Sequence, residues 1–584
     1  MLKSIMRPFT TRVGFRIDFA HPTEVFDMEN ILPLRSFIVF LMALCLIVAT
    51  NQHARADKNP NLVLIVLDDA GYSDLGVFGS EIDTPHIDSL AKGGVQFTQF
   101  HVTPNCSSTR ASLLTGMDHH RTGLGTHGAA AENQRGKPGY EGYLNNRVVT
   151  LPEALRTAGY RTMMAGKWHL GSRDSGTWPS ARGFDDCFAL LNGGASHWED
   201  NAPLFPSKPS VYVENGTTIK RLPKGFYSTD YYTGRIIHYI ERRKNPDQPF
   251  FAFLSFTAPH NPLHAPAESI KKYEDKYLDG WDAQQRRRLK SLKSRGLIGK
   301  SVKPQPRPDW IPSWDSLSDS AKKLAARDMA IYAGMIDRID HNVGRLVARL
   351  KTLEEYDNTL ILVMSDNGPS KTTIADYLKI DGAGADFVKG FKNDFDNRGL
   401  SGSSVDLGAG WAYGLAAPFR LMKGYQSQGG VLSPLIAKLP SVWKKPTGLN
   451  TAPVHVMDIM PTLLEIAGGA KIDRKAIPMQ GKSLLALMRS GDRATFDERG
   501  FGGELFGIRS YRQGNWKILK LPPPYGTGKW QLYDLLVDPG ETTDLADRQP
   551  NRLNKLAAQW RTYASVNGVV PPSKPILYAK PPRK

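Results

Sequence analysis

Asn61-Leu62-Val63-Leu64-Ile65-Val66-Leu67 runs directly into Asp68-Asp69-Ala70-Gly71. Apolar residues fill odd and even positions alike, so both faces of this segment are buried. That is the signature of a strand in a parallel sheet rather than of an alternating edge strand. It stops at two adjacent carboxylates. In open α/β sheets the ligand crevice lies outside the carboxyl ends of the strands, and paired carboxylates there suit a hard cation. The plainer alternative is a polar turn capping the next helix, a role that needs one Asp rather than two.

The same design recurs along the chain. Tyr160 to Ala165 reads as a strand and leads into Gly166-Lys167-Trp168-His169-Leu170-Gly171. Pro249 to Thr257 is followed by Ala258-Pro259-His260. Thr359 to Met364 ends in Ser365-Asp366-Asn367-Gly368, and Ala417 to Met422 precedes Lys423-Gly424. Gln96 to Val102 adds another strand. Helical spacing fits Thr84 to Gly94, Thr150 to Gly159, Asp230 to Arg243 and Met457 to Ala467. A long helix spans Ser318 to Lys351, with Ile331, Met335, Ile339, Val343 and Leu346 facing inward. This alternation predicts an α/β fold, a large mixed, mostly parallel sheet sandwiched by helices. From Arg499 short strands (Gly507 to Tyr511, Trp516 to Leu521, Gln531 to Leu535) and a helix (Pro550 to Ser565) predict a smaller C-terminal α+β subdomain. The division is then a leader over 1–56, a catalytic α/β domain over 57–495 and the subdomain over 496–584. Asn215-Gly216 reads as a turn. Asp381 to Gly410 reads as a long loop over the site, and Arg286-Arg287-Arg288 as a solvated helix face.

The 584 residues are 41% apolar, enough for a large core. Lys and Arg number 75 against 57 Asp and Glu, a formal charge of +18. No arginine-rich tract with interleaved aromatics accompanies it, so the charge fits a small anionic substrate better than nucleic acid. Three cysteines (Cys45, Cys106 and Cys187) do not indicate a disulfide framework, although Cys106 and Cys187 could bond in principle. Ser36 to Thr50 is an apolar run after Arg35, short for a membrane span, and Ala54-Arg55-Ala56 follows as a small-x-small cleavage site. This reads as a signal peptide, with Met28 a candidate true start. The mature protein is then periplasmic or secreted, with no stable membrane anchor after cleavage near Ala56. A tethering helix is the alternative.

Cys106-Ser107-Ser108-Thr109-Arg110-Ala111-Ser112-Leu113-Leu114-Thr115-Gly116 follows the break at Pro104-Asn105. Ser107 or Ser108 can cap a helix, and Gly116 can end it. Cys106 then sits in a loop at a helix N-terminus, where free N–H groups and Arg110 favour an anion. The residues alone leave two readings open, a reactive sulfur facing an anionic ligand or a buried structural Cys beside a surface Arg. Collected on one sheet edge, Asp68, Asp69, Asp366 and Asn367 offer oxygens suited to Ca²⁺, or to Mg²⁺ or Mn²⁺. Arg110, Lys167 and Lys423 would gather a tetrahedral anion, and His169 and His260 would move protons.

Cys106 with Arg110 and Leu114-Thr115-Gly116 resembles the signature of the type I sulfatases, in the alkaline phosphatase-like superfamily. Asp118-His119-His120, Gly166-Lys167-Trp168-His169, Ser365-Asp366-Asn367-Gly368 and Tyr533-Asp534-Leu535 make it similar to the bacterial arylsulfatases in particular. The resemblance covers almost all of the mature chain. It implies that Cys106 is oxidised to formylglycine by a formylglycine-generating enzyme, and that Ca²⁺ is held by Asp68, Asp69, Asp366, Asn367 and an oxygen of modified Cys106. It further implies that Arg110 and Lys167 position the nucleophile. His260 and Lys423 would contact the sulfate and assist the leaving oxygen, and His169 would deprotonate the second hydroxyl. The implied activity is sulfuric ester hydrolysis. A phosphate or phosphonate ester hydrolase on the same scaffold, or a silent anion-binding homologue with unconverted Cys106, are the alternatives. Two positions depart from the family pattern: Ser108 stands where Pro is usual, and Gln428 where an acidic residue often precedes Gly429-Gly430. His119 and His120 are adjacent, so on a helix they are not expected to share a face and are read as structural.

Overall fold

The computed structural model describes residues 59–128, 130–382, 386–443, 447–469 and 477–580. The leader with Cys45, Ala54-Arg55-Ala56 and the expected mature start at Asp57 lies outside the described residues.

β1 (Asn61–Leu67) sits in the middle of an eleven-stranded sheet. The other strands are β2 (Val95–His101), β3 (Arg161–Lys167), β4 (Asp186–Leu190), β5 (Tyr212–Glu214), β6 (Thr217–Ile219), β7 (Phe250–Ser255), β8 (Thr359–Ser365), β9 (Leu432–Lys438), β10 (Gly448–Asn450) and β11 (Val454–His455). Their order is β10-β2-β9-β8-β1-β7-β3-β4-β5-β6, with β11 also on β2. The centre is parallel, while β9, β5 and β6 pair antiparallel. The mixed, mostly parallel sheet expected from the sequence is present.

Its two faces explain the double-sided apolar pattern. Val63, Ile65 and Leu67 belong to one core, into which the helix Asp319–Thr352 sends Ile331, Met335 and Ile339. Leu62, Leu64 and Val66 belong to the other, with Ala111, Leu113 and Leu114 of the helix Cys106–Thr115. Asn215 and Gly216 turn between β5 and β6 with φ 49° and 84°, values that favour this pair of residues.

A separate antiparallel sheet carries β12 (Gly500–Leu505), β13 (Ile508–Gln513), β14 (Trp516–Lys520) and β15 (Trp530–Asp534). The helix Pro550–Asn567 packs on it through Leu556, Ala557 and Trp560. β12 has no counterpart in the sequence reading. Its glycines weaken the strand signal, yet a Cβ at Gly502 would stand 2.3 Å from the Tyr563 ring of that helix, so the close approach requires them.

Three expectations need correction. Ala417 to Met422 is not a strand, because Leu421 takes φ 57°, which no strand accommodates. The neighbouring strand is β9, and since it runs antiparallel to β8, its start lies at the carboxyl end of β8. Lys423 therefore reaches the same edge from the segment before β9. Asp381 to Gly410 is not one loop: Thr373 and Asp376 form a capping box for a helix Ile374–Asp381, and further helices span Asp386–Lys389 and Gly408–Leu415. The face at Arg286-Arg287-Arg288 is not wholly solvated. Arg288 is fully buried and pairs with Asp74 at 2.8 Å and Glu81 at 2.7 Å.

Candidate active site

The helix Cys106–Thr115 begins at Cys106 itself, with Asn105 as extended N-cap. This corrects the expectation that Ser107 or Ser108 caps it. Ser107 Oγ instead meets His127 Nδ1 at 3.1 Å, and Ser108 Oγ bonds Thr103 Oγ1 at 2.6 Å and Asn105 O at 2.9 Å. All ten helix residues are buried. Arg110, one turn in, is therefore not a surface cation.

Arg110 is the hub. Its Nε and Nη2 donate to Asp366 Oδ2 at 3.0 and 2.7 Å, and Nη1 donates to Lys167 O at 3.2 Å and Ser255 Oγ at 2.5 Å. Lys167, the last residue of β3, reaches Asp68 Oδ2 at 2.5 Å. Lys423 bridges both oxygens of Asp69 at 2.7 and 2.8 Å. The Lys423 segment is pinned by its N–H to Pro369 O and by Gly424 N–H to Pro104 O. Three buried cations thus face three buried carboxylates at one sheet edge.

Asp69 has φ 69° and His169 φ 59°. Non-glycine residues hold such values only where the surroundings enforce them. A Cβ at Gly193 would lie 2.6 Å from His169 Nε2, so only glycine lets the chain close over that ring. His169 Nδ1 is buried without a partner, and the ring stands edge-on to His127 at 5.1 Å. Burial, then Lys167 and His127, hold its pKa well below the usual range. His260 Nδ1 meets Asn261 O at 2.6 Å, and its Nε2 lies 3.6 Å from Asp69 Oδ2. Burial, with Lys423 and Lys167 outweighing Asp69, brings its pKa to about 3. Both imidazoles are neutral bases. Burial pushes the Cys106 thiol up to about 11, against the pull of Lys167 and Lys423.

The oxygen donors fit a hard cation. Asp68 Oδ1 and Asn367 Oδ1 are buried acceptors without a hydrogen-bond partner, a costly state that an ion relieves. Asn367 Nδ2 donates to Asp69 Oδ1 at 2.6 Å, which turns its oxygen the other way. Ligand atoms of Asp68, Asp69, Cys106 and His260 lie within 4.8 Å of one another. Every candidate residue named from the sequence is thus brought to one place.

Some neighbours were not legible. Ser255 is a polar residue ending an apolar strand and bridges Arg110 to Lys167 O, to which it donates at 2.6 Å. His127 lies in a glycine-rich stretch that carries no pattern. Tyr578 comes from the C-terminal tail and meets Thr372 Oγ1 at 2.8 Å. The expectation for His119 and His120 is corrected in one respect: their rings lie together, 4.1 Å apart. His120 bonds Asp118 at 2.7 Å and Glu504 of β12 at 3.0 Å.

A model of the sulfatase family matches residues 60–470. An uncharacterised sulfatase of Schizosaccharomyces pombe is 41% identical over 542 residues, covering 89% of this chain and 96% of the relative. An arylsulfatase of Klebsiella aerogenes is 35% identical over 452 residues, covering 76% and 95%. The crystal structure of Ps i-CgsB in complex with k-i-k-neocarrahexaose superposes with a TM-score of 0.62 at 24% identity, over 88% of this chain and 94% of that one; at this identity the likeness concerns the fold. With two thirds of its length matched and its buried ion-pair cluster at the strand ends, the chain belongs to the sulfatase family and is an enzyme that hydrolyses sulfate esters.

Proposed function

We propose that this enzyme cleaves aryl-type sulfate monoesters at the edge of β1, β3, β7 and β8, with Cys106 converted to formylglycine and one Ca²⁺ held by Asp68, Asp69, Asp366, Asn367 and modified Cys106. The observation that carries this reading is the pair of orphaned acceptors, Asp68 Oδ1 and Asn367 Oδ1, beside three buried cations. The calcium ion would draw charge from the sulfate oxygens, and the aldehyde hydrate would offer one hydroxyl to accept the sulfuryl group and a second to release it.

The chain's own groups have definable tasks. Arg110 and Lys167 hold Asp366 and Asp68 in place and keep the field at residue 106 positive. Lys423 and His260 Nε2 stand together over Asp69. From there Lys423 would bind a sulfate oxygen, and His260 would serve the leaving oxygen. His169 Nδ1, neutral and unbonded, would take the proton of the second hydroxyl. On the alcohol side, Gly194 lies between His260 and Leu204, and Leu204 packs with Ile374, Tyr377 and Leu378. That apolar cluster supports an aryl or apolar alcohol.

The test is turnover of an aryl sulfate and the matching aryl phosphate by the purified protein, with mass analysis of the Cys106 peptide. Sulfate turnover that scales with the aldehyde fraction is the expected result. Preference for the phosphate ester, or full activity with an unmodified thiol, would overturn it.

A further inference from the structure

Between the large sheet and the four-stranded sheet lies a cavity of about 30 Å³ whose lining contains none of the proposed catalytic or metal-holding residues. His101 of β2, Gln428, Arg512 of β13 and Lys517 of β14 contribute to it. Arg512, 4% exposed, donates through Nε to Gly514 O at 2.8 Å, and through Nη1 to Gln99 Oε1 and His101 Nε2, both at 2.9 Å. Two of these acceptors are neutral by nature. The third, His101, is kept neutral by burial and by the charges of Arg512 and Lys517. A guanidinium has five N–H donors, so the two on Nη2 are left over. Among the described residues no carboxylate comes within ion-pair distance of Arg512.

Lys517 pairs with Glu541 at 2.7 Å and donates to Gln428 Oε1 at 3.1 Å. That bond fixes the amide, because the flipped form would set an NH₂ group against an ammonium. Gln428 Nε2 is then a buried donor without a partner on a side chain 1% exposed. Asp118, the carboxylate in the lining, already accepts three hydrogen bonds from elsewhere. Its Oδ1 accepts from His120 N at 3.0 Å and Nδ1 at 2.7 Å, and its Oδ2 from Tyr563 at 2.7 Å. Since Lys517 is matched by Glu541, Arg512 remains a buried charge without a counter-charge, a state that proteins avoid.

We propose that this cavity binds one small monovalent inorganic anion, a halide of chloride size, held by Arg512 and Gln428 Nε2. The volume admits roughly two water-sized occupants, which suits a small inorganic ion. The single unmatched charge favours a monovalent ion over sulfate. The bound ion ties Arg512 of the small sheet to Gln428, which leads into β9 of the large one.

Two measurements on the full chain test this. Crystals soaked in bromide should show an anomalous peak between Arg512 and Gln428, and Arg512→Met should lose it. Replacing gluconate by chloride at constant ionic strength should raise the thermal midpoint saturably, by about 2 °C. Gln428→Glu puts a carboxylate oxygen in place of Nε2, beside the ion's position, where it supplies the counter-charge and repels an anion, so its midpoint in gluconate should match that of the wild type in chloride and should not respond to chloride. No bromide peak in the cavity, or a chloride response that persists in Gln428→Glu, would overturn the proposal.

Discussion

Replacing Asp366 by Ala removes two supports at once, and the two can be separated. In the folded chain Asp366 Oδ2 takes both the Nε and Nη2 donors of Arg110, and each side chain is essentially inaccessible to water. Breaking a buried pair by deleting one partner costs about 3–5 kcal/mol, because the other charge is stranded. Arg110 keeps Ser255, Lys167 O and a longer approach to Asp68 Oδ1 at 3.8 Å, which places the expected loss near ~3 kcal/mol. Urea unfolding in chelator measures this part without any metal contribution. The second part appears in calcium: the variant should retain no stoichiometric cation after dialysis, and aryl sulfate turnover should fall by at least ~100-fold. Adding Arg110→Met to Asp366→Ala should recover part of the stability, a non-additivity of about 1–3 kcal/mol. A metal-free variant as stable as the wild type would refute the ion-pair account. An unchanged cation content would remove Asp366 from the proposed ligand set.

Burial alone would lower the pKa of His120, but Asp118 and Glu504 outweigh it and raise it from 6.5 to about 9. The stability this contributes is complete below pH 6.5 and is lost as pH rises towards 9. It amounts to about 3 kcal/mol at most, so urea midpoints at pH 6 and 9.5 should differ, and His120→Gln should flatten the profile in that window. Ser108→Pro gives up the Ser108 hydroxyl's bonds to Thr103 and Asn105, at about 1–2 kcal/mol. Proline is tolerated in a first helical turn, and the variant should raise the aldehyde fraction at Cys106 when the protein is made in a foreign host; an unchanged fraction in the peptide mass spectrum counts against a role for Ser108 in conversion. Export should leave a mature N-terminus at Asp57, which Edman sequencing of periplasmic protein reads directly, and an intact leader in the membrane fraction would contradict it.

The centre of the sheet was legible because β1, β7 and β8 are buried on both faces and contain almost nothing but apolar residues. Asp68, Asp69, His260, Asp366 and Asn367 could be picked out as candidates because they follow such strands, whereas Lys423 precedes β9 and Arg110 lies in a helix. β9 was hidden for a physical reason. Its Leu432-Ser433-Pro434-Leu435-Ile436-Ala437-Lys438 contains a proline, which ordinarily speaks against a central strand. Here Pro434 falls where the register against β2 shifts between Phe97 and Phe100, and a bulge is one of the few places a proline is accepted. Ala417 to Met422 looked the better strand, but one left-handed residue, Leu421, turns it away. Arg288 could not be read at all. Its partners Asp74 and Glu81 lie more than 200 residues earlier, and nothing within Arg286-Arg287-Arg288 marks the one that is buried. His127 and Tyr578 were illegible for the same reason, being placed by long-range packing and not by local pattern.

The burial of the whole helix Cys106–Thr115 would set a clock on the proposed oxidation of Cys106. Once that helix is docked, Cys106 is 2% exposed and Arg110 is inaccessible, so the enzyme that the proposal requires for oxidising Cys106 would have to reach it beforehand. The docking partner Asp366 is encoded 256 residues after Arg110. At about 5–20 residues per second of synthesis, Asp366 follows Arg110 out of the ribosome by roughly 13–50 s. During that interval the chain has made residue 106 but not the carboxylate that closes over its helix. Under that proposal the length of polypeptide between the two halves of the site would act as a timer, and slowing or speeding translation across it should change the aldehyde fraction at Cys106 without changing any residue.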